Sequence, residues 1–256
     1  MNIPKKVSDR FSSELQKYKR ILKKGKDKDL NESDTVSIIT DMLQDVFGYD
    51  KYDEVTSEYA IKSTFCDLAI VLNNKLRLLI EVKAIGKTLS ENHLNQALAY
   101  GAKEGLTWII LTNGVIWEIY RITMKPALDA SLLYKMDLLD LDFRNKDTIE
   151  NLFVVSKEGQ SKNAIDELSE KVDIMNRHMI SAAITEESVI NAIRLQLNKI
   201  SSIKANNEDV LDIVLNDIIK RDILDDDAFK KAKAKIKRVK NKAAKEKAVK
   251  GTAQPL

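Results

Sequence analysis

The sequence predicts a mixed α/β domain followed by a mainly helical region, and three observations carry that prediction. Strand-like runs fall only between residues 54 and 138, whereas nearly everything beyond Lys146 has helical apolar spacing. Only 8 Gly and 3 Pro interrupt 256 residues, which argues for long regular elements and against an all-β fold. Hydrophobic residues make up 44% of the chain, enough for a sizeable core, and charged residues 32%, as well-solvated helices require.

The elements follow in order. Residues 1–30 are polar and basic but place Phe11, Leu15, Tyr18 and Leu22 at helical spacing, which suggests an N-terminal helix or extension. Asn31-Glu32-Ser33-Asp34 then supplies N-cap residues ahead of an apolar stripe of Val36, Ile39, Leu43 and Val46, and Gly48 provides a stop. Glu54–Ile61, Phe65–Leu72 and Leu76–Ile85 read as three strands, the last two joined at Asn73-Asn74 as an antiparallel hairpin. Asn92–Lys103 reads as a helix. Trp108–Leu111 and Ile116–Ile122 read as strands about a Thr112-Asn113-Gly114 turn. A further strand lies near Leu132–Leu138. Helices are expected at Asp147–Ser156, Asn163–His178, Glu186–Lys199 and Asn207–Lys220. The predicted division is a basic N-terminal segment (1–30), a central domain (31–156), a helical region (157–228) and a Lys-rich tail (229–256), with the main boundary near 156–162.

Cys66 is the single cysteine, which excludes an internal disulfide and a multi-cysteine zinc site and fits a reducing compartment. No stretch approaches the roughly 18 apolar residues of a membrane helix, and the opening MNIPKKVSDRFSSELQ lacks the apolar run of a signal peptide. A soluble, cytoplasmic protein is therefore expected. The net charge of +3 conceals an asymmetry. Lys230–Lys250 holds 11 basic residues and one acidic residue, and the remaining 31 basic and 38 acidic residues leave −7. Such a clustered polycation suits a polyanionic partner; it also suits a solvated or disordered tail that only aids solubility. His93 and His178 are too few and too far apart for a histidine metal site. Cys66, Met175 and Met179 read as packing residues.

Chemistry concentrates on two strands. Asp67 interrupts the apolar run FCDLAIVL, and Glu81 and Lys83 interrupt LLIEVKAI. Charges in such runs are costly to bury unless paired or bound to a metal. Strand alternation points Glu81 and Lys83 to one face, and a hairpin at Asn73-Asn74 can bring Asp67 level with them. Asp67 and Glu81, with the backbone carbonyl of Val82, would offer hard oxygen ligands to Mg²⁺. Lys83 would orient a water or stabilise the transition state of phosphodiester hydrolysis. A salt-bridged E-x-K pair at a strand edge is the plainer reading of Glu81 and Lys83 alone.

These residues resemble the PD-(D/E)xK nuclease superfamily, and in particular the N-terminal nuclease domain of type I restriction enzyme R subunits and their stand-alone relatives. Asn31-Glu32-Ser33-Asp34-Thr35 is similar to that family's N-E-x-x-T helix opening, and Phe47-Gly48-Tyr49 to its aromatic-Gly-aromatic helix end. Phe65–Ile70 and Leu79–Ala84 resemble its V-D-Y-A-I and I-E-x-K-A strands. Gln96–Tyr100 resembles its Q-x-x-x-Y motif, and Leu111–Trp117 its L-T-N-G-x-x-W hairpin, in which Trp117 is expected to be core. The resemblance spans about Asn31 to Ile122.

What it implies is a restriction-endonuclease-like mixed sheet flanked by helices, with Glu32, Asp67, Glu81, Lys83, Gln96 and Tyr100 at the active site. Glu32 joins Asp67, Glu81 and Val82 as a candidate ligand for Mg²⁺, with Mn²⁺ as a substitute. Cys66 stands where the motif has proline. No G-x-x-x-x-G-K-[ST] phosphate loop occurs, so no ATP-driven motor is implied. The expected function is metal-dependent hydrolysis of DNA in restriction or anti-phage defence, RNA remaining open as a substrate. The alternative is a non-cleaving nucleic-acid-binding or scaffolding subunit of a restriction or defence complex, acting through the Lys-rich tail. The helical half offers a surface for a homodimer or for other such subunits.

Overall fold

A computed structural model describes every residue except 62, 63, 125, 126, 201, 203 and 252–256; the side chains of 64 and 243–251 are also outside the description. The chain divides into two compact units, Met1–Ser169 and Glu170–Leu256.

The first unit opens with α1 (Lys5–Asp27) and α2 (Glu32–Asp45). Three strands follow, β1 (Val55–Ile61), β2 (Thr64–Leu72) and β3 (Lys75–Val82), then α3 (Glu91–Lys103). Next come β4 (Trp108–Thr112), β5 (Ile116–Thr123) and β6 (Asp129–Asp137). After a 3₁₀ turn at Leu138–Asp140 the chain forms α4 (Lys146–Val155), α5 (Lys157–Ser161) and α6 (Ala164–Ile174). The six strands form one mixed sheet in sequential order, with β3 and β4 parallel and all other neighbours antiparallel. The α3 crossover accounts for that parallel pair, since parallel neighbours need a long connection.

Two cores lie on the sheet. The larger gathers Phe11, Leu15 and Leu22 of α1, Ile39 and Leu43 of α2, Leu68, Ile80, Val82 and Trp117 of the sheet, and Leu152 and Phe153 of α4. The smaller unites Ala97, Leu98 and Tyr100 of α3 with Cys66, Ala69, Leu79 and Ile109. Gly101 lets α3 approach closely, because a Cβ there would stand 2.6 Å from Ile109 Cγ2. Residues 1–30, expected as a basic N-terminal helix or extension, form α1 and supply part of the main core. The apolar stripe of α1 is fully buried, and only its polar faces reach solvent. The first unit also continues past the expected boundary at 156–162, because Gln160, Ala164, Ile165 and Leu168 are all buried.

Arg10 of α1 clamps this arrangement. Both terminal nitrogens donate to Glu158 at 2.8 Å, and Nε donates to the Val46 carbonyl at 2.8 Å. Burial alone would raise the Glu158 carboxyl, but the Arg10 hydrogen bonds and its other donors outweigh that and hold it below its ordinary value. A depressed folded-state pKa contributes stability above the unfolded value that disappears as pH falls through the folded value. Arg10→Ala should therefore cost about 1–2 kcal/mol at neutral pH. The deficit should shrink below the carboxylate range, as thermal melts at pH 7 and pH 3 would read.

The second unit contains α7 (Arg177–Ile184), α8 (Glu187–Ile200), α9 (Asn207–Ile213), a π-helical turn at Val214–Ile218, α10 (Arg221–Leu224) and α11 (Asp227–Gly251). Its core joins Ala182, Ile190, Val210, Val214, Ile223, Phe229 and Ala232. The helix expected over Asn163–His178 is broken after Ile174, where the Asn176 side chain accepts from Met179 N–H and starts α7. The Lys-rich segment is helical, with Phe229 and Ala232 buried; the end of the predicted tail, 252–256, lies outside the described residues. Along α8, Val189, Leu197 and Ile200 are exposed, whereas Ile190 is buried. Among the described residues no helix is long and apolar enough to cross a membrane.

Candidate active site

The β2–β3 hairpin creates the site, and a one-residue irregularity sets its geometry. Asn73 and Asn74 both take positive φ, 52° and 59°, the backbone a tight two-residue turn needs. Leu72 pairs with Lys75 and Val71 with Leu76. Continued unchanged, that register would set Asp67 opposite Ile80. The register shifts between Ile70 and Val71 instead, so that Ile70 meets Leu78 and Leu68 meets Ile80. Asp67 therefore comes opposite Glu81, on the same face of the sheet. Without the bulge the two carboxylates would point to opposite faces.

The hydrogen bonds bear this out. Asp67 Oδ2 accepts from Val82 N–H at 2.7 Å, and Lys83 Nζ donates to Glu81 Oε1 at 2.8 Å. Lys83 lies one residue past the assigned end of β3, short of the predicted strand end at Ile85. Its N–H still donates to Thr112 of β4 at 2.8 Å, which carries the parallel ladder forward. Glu32, the first residue of α2, brings its carboxylate to 3.6 Å from Lys83 Nζ. Thr35 fixes that approach: buried, it donates to the Asn31 carbonyl and accepts from Ile85 N–H, tying the start of α2 to the chain leaving β3. Asn113 steadies the same segment by donating to the Lys87 carbonyl, and Trp117 is fully buried, as expected for a core residue of the hairpin.

Glu81 is 1% exposed, and its Oε2 is buried with no hydrogen-bond partner. Burial, and then the neighbouring Asp67, push its carboxyl up to about 7 against the opposing pull of Lys83. Burial likewise raises Asp67, opposed by the Val82 N–H and Lys83. Burial would lower the Lys83 amine, but Glu81 and the other carboxylates outweigh it and hold the amine charged. Glu32, Ser33, Ser37, Ser57, Glu58 and Asp67 line a cleft of about 490 Å³ beside these groups. Three carboxylates in one cleft repel a phosphate unless a cation intervenes.

The structure thus brings Asp67, Glu81, Lys83 and Glu32 together. It does not link Gln96 or Tyr100 to them by any hydrogen bond or ion pair among the described residues. Gln96 Nε2 donates to Tyr100 Oη at 3.1 Å, and Tyr100 packs in the smaller core with Leu79, which shares the Glu81 face of β3 by alternation. Helix α3 therefore covers the correct side of the sheet, with Gln96 exposed. Glu58 and Ser57 were missed from sequence. Their trace is that VTSEYAI breaks its alternation at Ser57-Glu58, where Glu58 adopts φ 49° opposite Asp67.

Among the described residues no group of three or more His, Cys, Asp or Glu side chains is placed to hold a metal. Mg²⁺ does not require one, since it commonly binds through one or two carboxylates together with waters and substrate phosphates. The orphaned Oε2 beside a second carboxylate fits that mode of binding.

Residues 37–132 match the family model of the type I restriction enzyme R protein N terminus. Asp67, Glu81, Lys83, Gln96, Tyr100 and the Thr112–Trp117 hairpin all fall inside the match, while Glu32 precedes it. No curated protein and no solved structure gives a significant match.

Proposed function

We propose that this protein is a metal-dependent nuclease that hydrolyses phosphodiester bonds of DNA, acting in restriction or defence. The observation that carries this reading is Glu81 Oε2, buried without a partner beside Asp67 and next to a charged Lys83. A buried carboxylate oxygen left unsatisfied is costly, and a divalent cation offsets that cost. Asp67, Glu81 and the Val82 carbonyl would hold Mg²⁺, or Mn²⁺ in its place. When bound, it would polarise the scissile phosphate, acidify the attacking water and offset developing charge.

The chain's own residues supply the rest. Lys83, held charged by Glu81, presents positive charge to the phosphate and is a poor base in this state. Asp67 is kept in position by the Val82 N–H and lines the cleft. Glu32 limits the reach of Lys83. Gln96, exposed on the helix that covers this face, would contact the substrate, and Tyr100 Oη holds its amide from the smaller core.

The test is plasmid hydrolysis with Mg²⁺ by the wild type and by Asp67→Ala. The variant should lose activity by roughly 10²-fold or more, and chelation should abolish the wild-type reaction. Cutting that persists in the variant, or in excess chelator, would overturn the assignment.

A further inference from the structure

The cleft is acidic, so it offers a nucleic-acid strand little purchase beyond the scissile phosphate itself. A cationic surface on the same compact unit would supply that attraction beside the site. Helix α1 carries one. Lys19, Arg20, Lys23 and Lys26 line a groove of about 690 Å³ that also touches Leu139, with Asp27 its only carboxylate. Lys19, Lys23 and Lys26 recur at i, i+4 and i+7, so they form one stripe along the helix. Lys19 is partly committed, donating to the Leu141 carbonyl at 3.3 Å and lying over the Phe143 ring. Arg20, Lys23 and Lys26 are exposed, and their side chains make no ion pair or hydrogen bond among the described residues.

The stripe runs toward the site. At the C-terminal end of α1, Gly25 is so close to Ile85 that a Cβ would stand 3.1 Å from its Cδ1, and Asp29 lies against Gly86. Ile85 and Gly86 follow Lys83 by two and three residues. The last turn of α1 is thus packed on the segment that leaves the catalytic strand, within one unit.

From this we infer that the α1 groove binds the sugar–phosphate backbone of the DNA duplex that the site cuts, at phosphates flanking the scissile one. The inference rests on the nuclease reading for its substrate, but its residues are separate from those of catalysis. Contacts of this kind position the strand without reading sequence. Each phosphate neutralised by a Lys or Arg makes binding weaken more steeply with salt.

The experiment uses the full chain carrying Glu81→Gln, so that a labelled duplex of about 20 bp stays intact, with and without the triple change Arg20→Gln, Lys23→Gln and Lys26→Gln. The control triple, Lys230→Gln, Lys233→Gln and Lys235→Gln, removes equal charge from the C-terminal unit. The groove triple should bind at least about 10-fold more weakly near 50 mM salt, with the slope of log affinity against log salt reduced by about 2–3. In the otherwise wild-type protein it should raise KM for duplex and leave kcat unchanged, the signature of lost uniform binding. Unchanged affinity and slope would overturn the inference, as would an equal loss in the control triple. Groove-dependent binding to anionic phospholipid vesicles, with none to duplex, would also overturn it and point to a membrane surface. If the wild type never cuts yet the groove triple still loses duplex binding, the nuclease reading fails and the groove stands. If the wild type cuts and the triple binds as before, only the groove fails.

Discussion

Glu81→Gln is expected to reduce Mg²⁺-dependent plasmid hydrolysis by roughly 10³-fold or more, the largest effect of any single change considered. The size follows from what the side chain holds. A cation that stabilises developing phosphate charge contributes several kcal/mol to the transition state, and each 1.36 kcal/mol is about tenfold in rate. Gln keeps the shape and can still accept from Lys83, but it lacks the anionic oxygen that the orphaned Oε2 supplies. Two readouts therefore move together: cleavage disappears, and so does the rise in melting temperature on adding Mg²⁺ or Mn²⁺ that ligand binding to the native state must produce. Circular dichroism should stay native, because the hairpin register depends on the bulge and the Asn73-Asn74 turn. A Gln variant that still shows the metal-dependent rise would remove Glu81 from the metal site.

Much of this fold was readable in the sequence because the relevant patterns are local. The β2–β3 hairpin, the Thr112–Gly114 turn and the α2 start at Asn31 all follow from turn and cap chemistry within a few residues. The convergence of Asp67 with Glu81 was only half readable. The hairpin was visible, but its length without the bulge would have put the two acids on opposite faces, and a bulge is set by packing on both sides of the sheet. Glu58 escaped notice because it belongs to the site through a positive-φ kink in β1, not through any motif. The helical character of α1 was readable from its apolar stripe, but the surface that stripe covers was not, because only the tertiary contacts show it closing the main core. The break at Asn176 likewise depends on a cap competing with helix continuation, which apolar periodicity does not register.

Lys83→Met should lower hydrolysis by about 10²–10³-fold, the range for removing one preorganised group that faces developing charge, and it separates two roles the amine could play. As a counterion only, Lys83 would serve to hold Glu81 in place; as a catalytic group it would also act on the phosphate. Its position permits both, since Nζ lies 2.8 Å from Glu81 and 3.6 Å from Glu32, which lines the acidic cleft. Met fills a similar volume without the charge. If Lys83 only holds Glu81, excess metal should take over that duty, and saturating Mg²⁺ should restore the rate of Lys83→Met. If it acts on the phosphate, the melting-temperature rise with metal should persist while the rate stays low at every metal concentration. Lys83→Arg should then recover part of the rate, because the charge returns with a broader, less compact head group. Glu32→Gln is the companion measurement. Its carboxylate is 48% exposed and, among the described residues, is ion-paired with the amine alone, so a loss of no more than about tenfold is expected. A loss as large as that of Lys83→Met would instead make Glu32 a direct participant in the reaction.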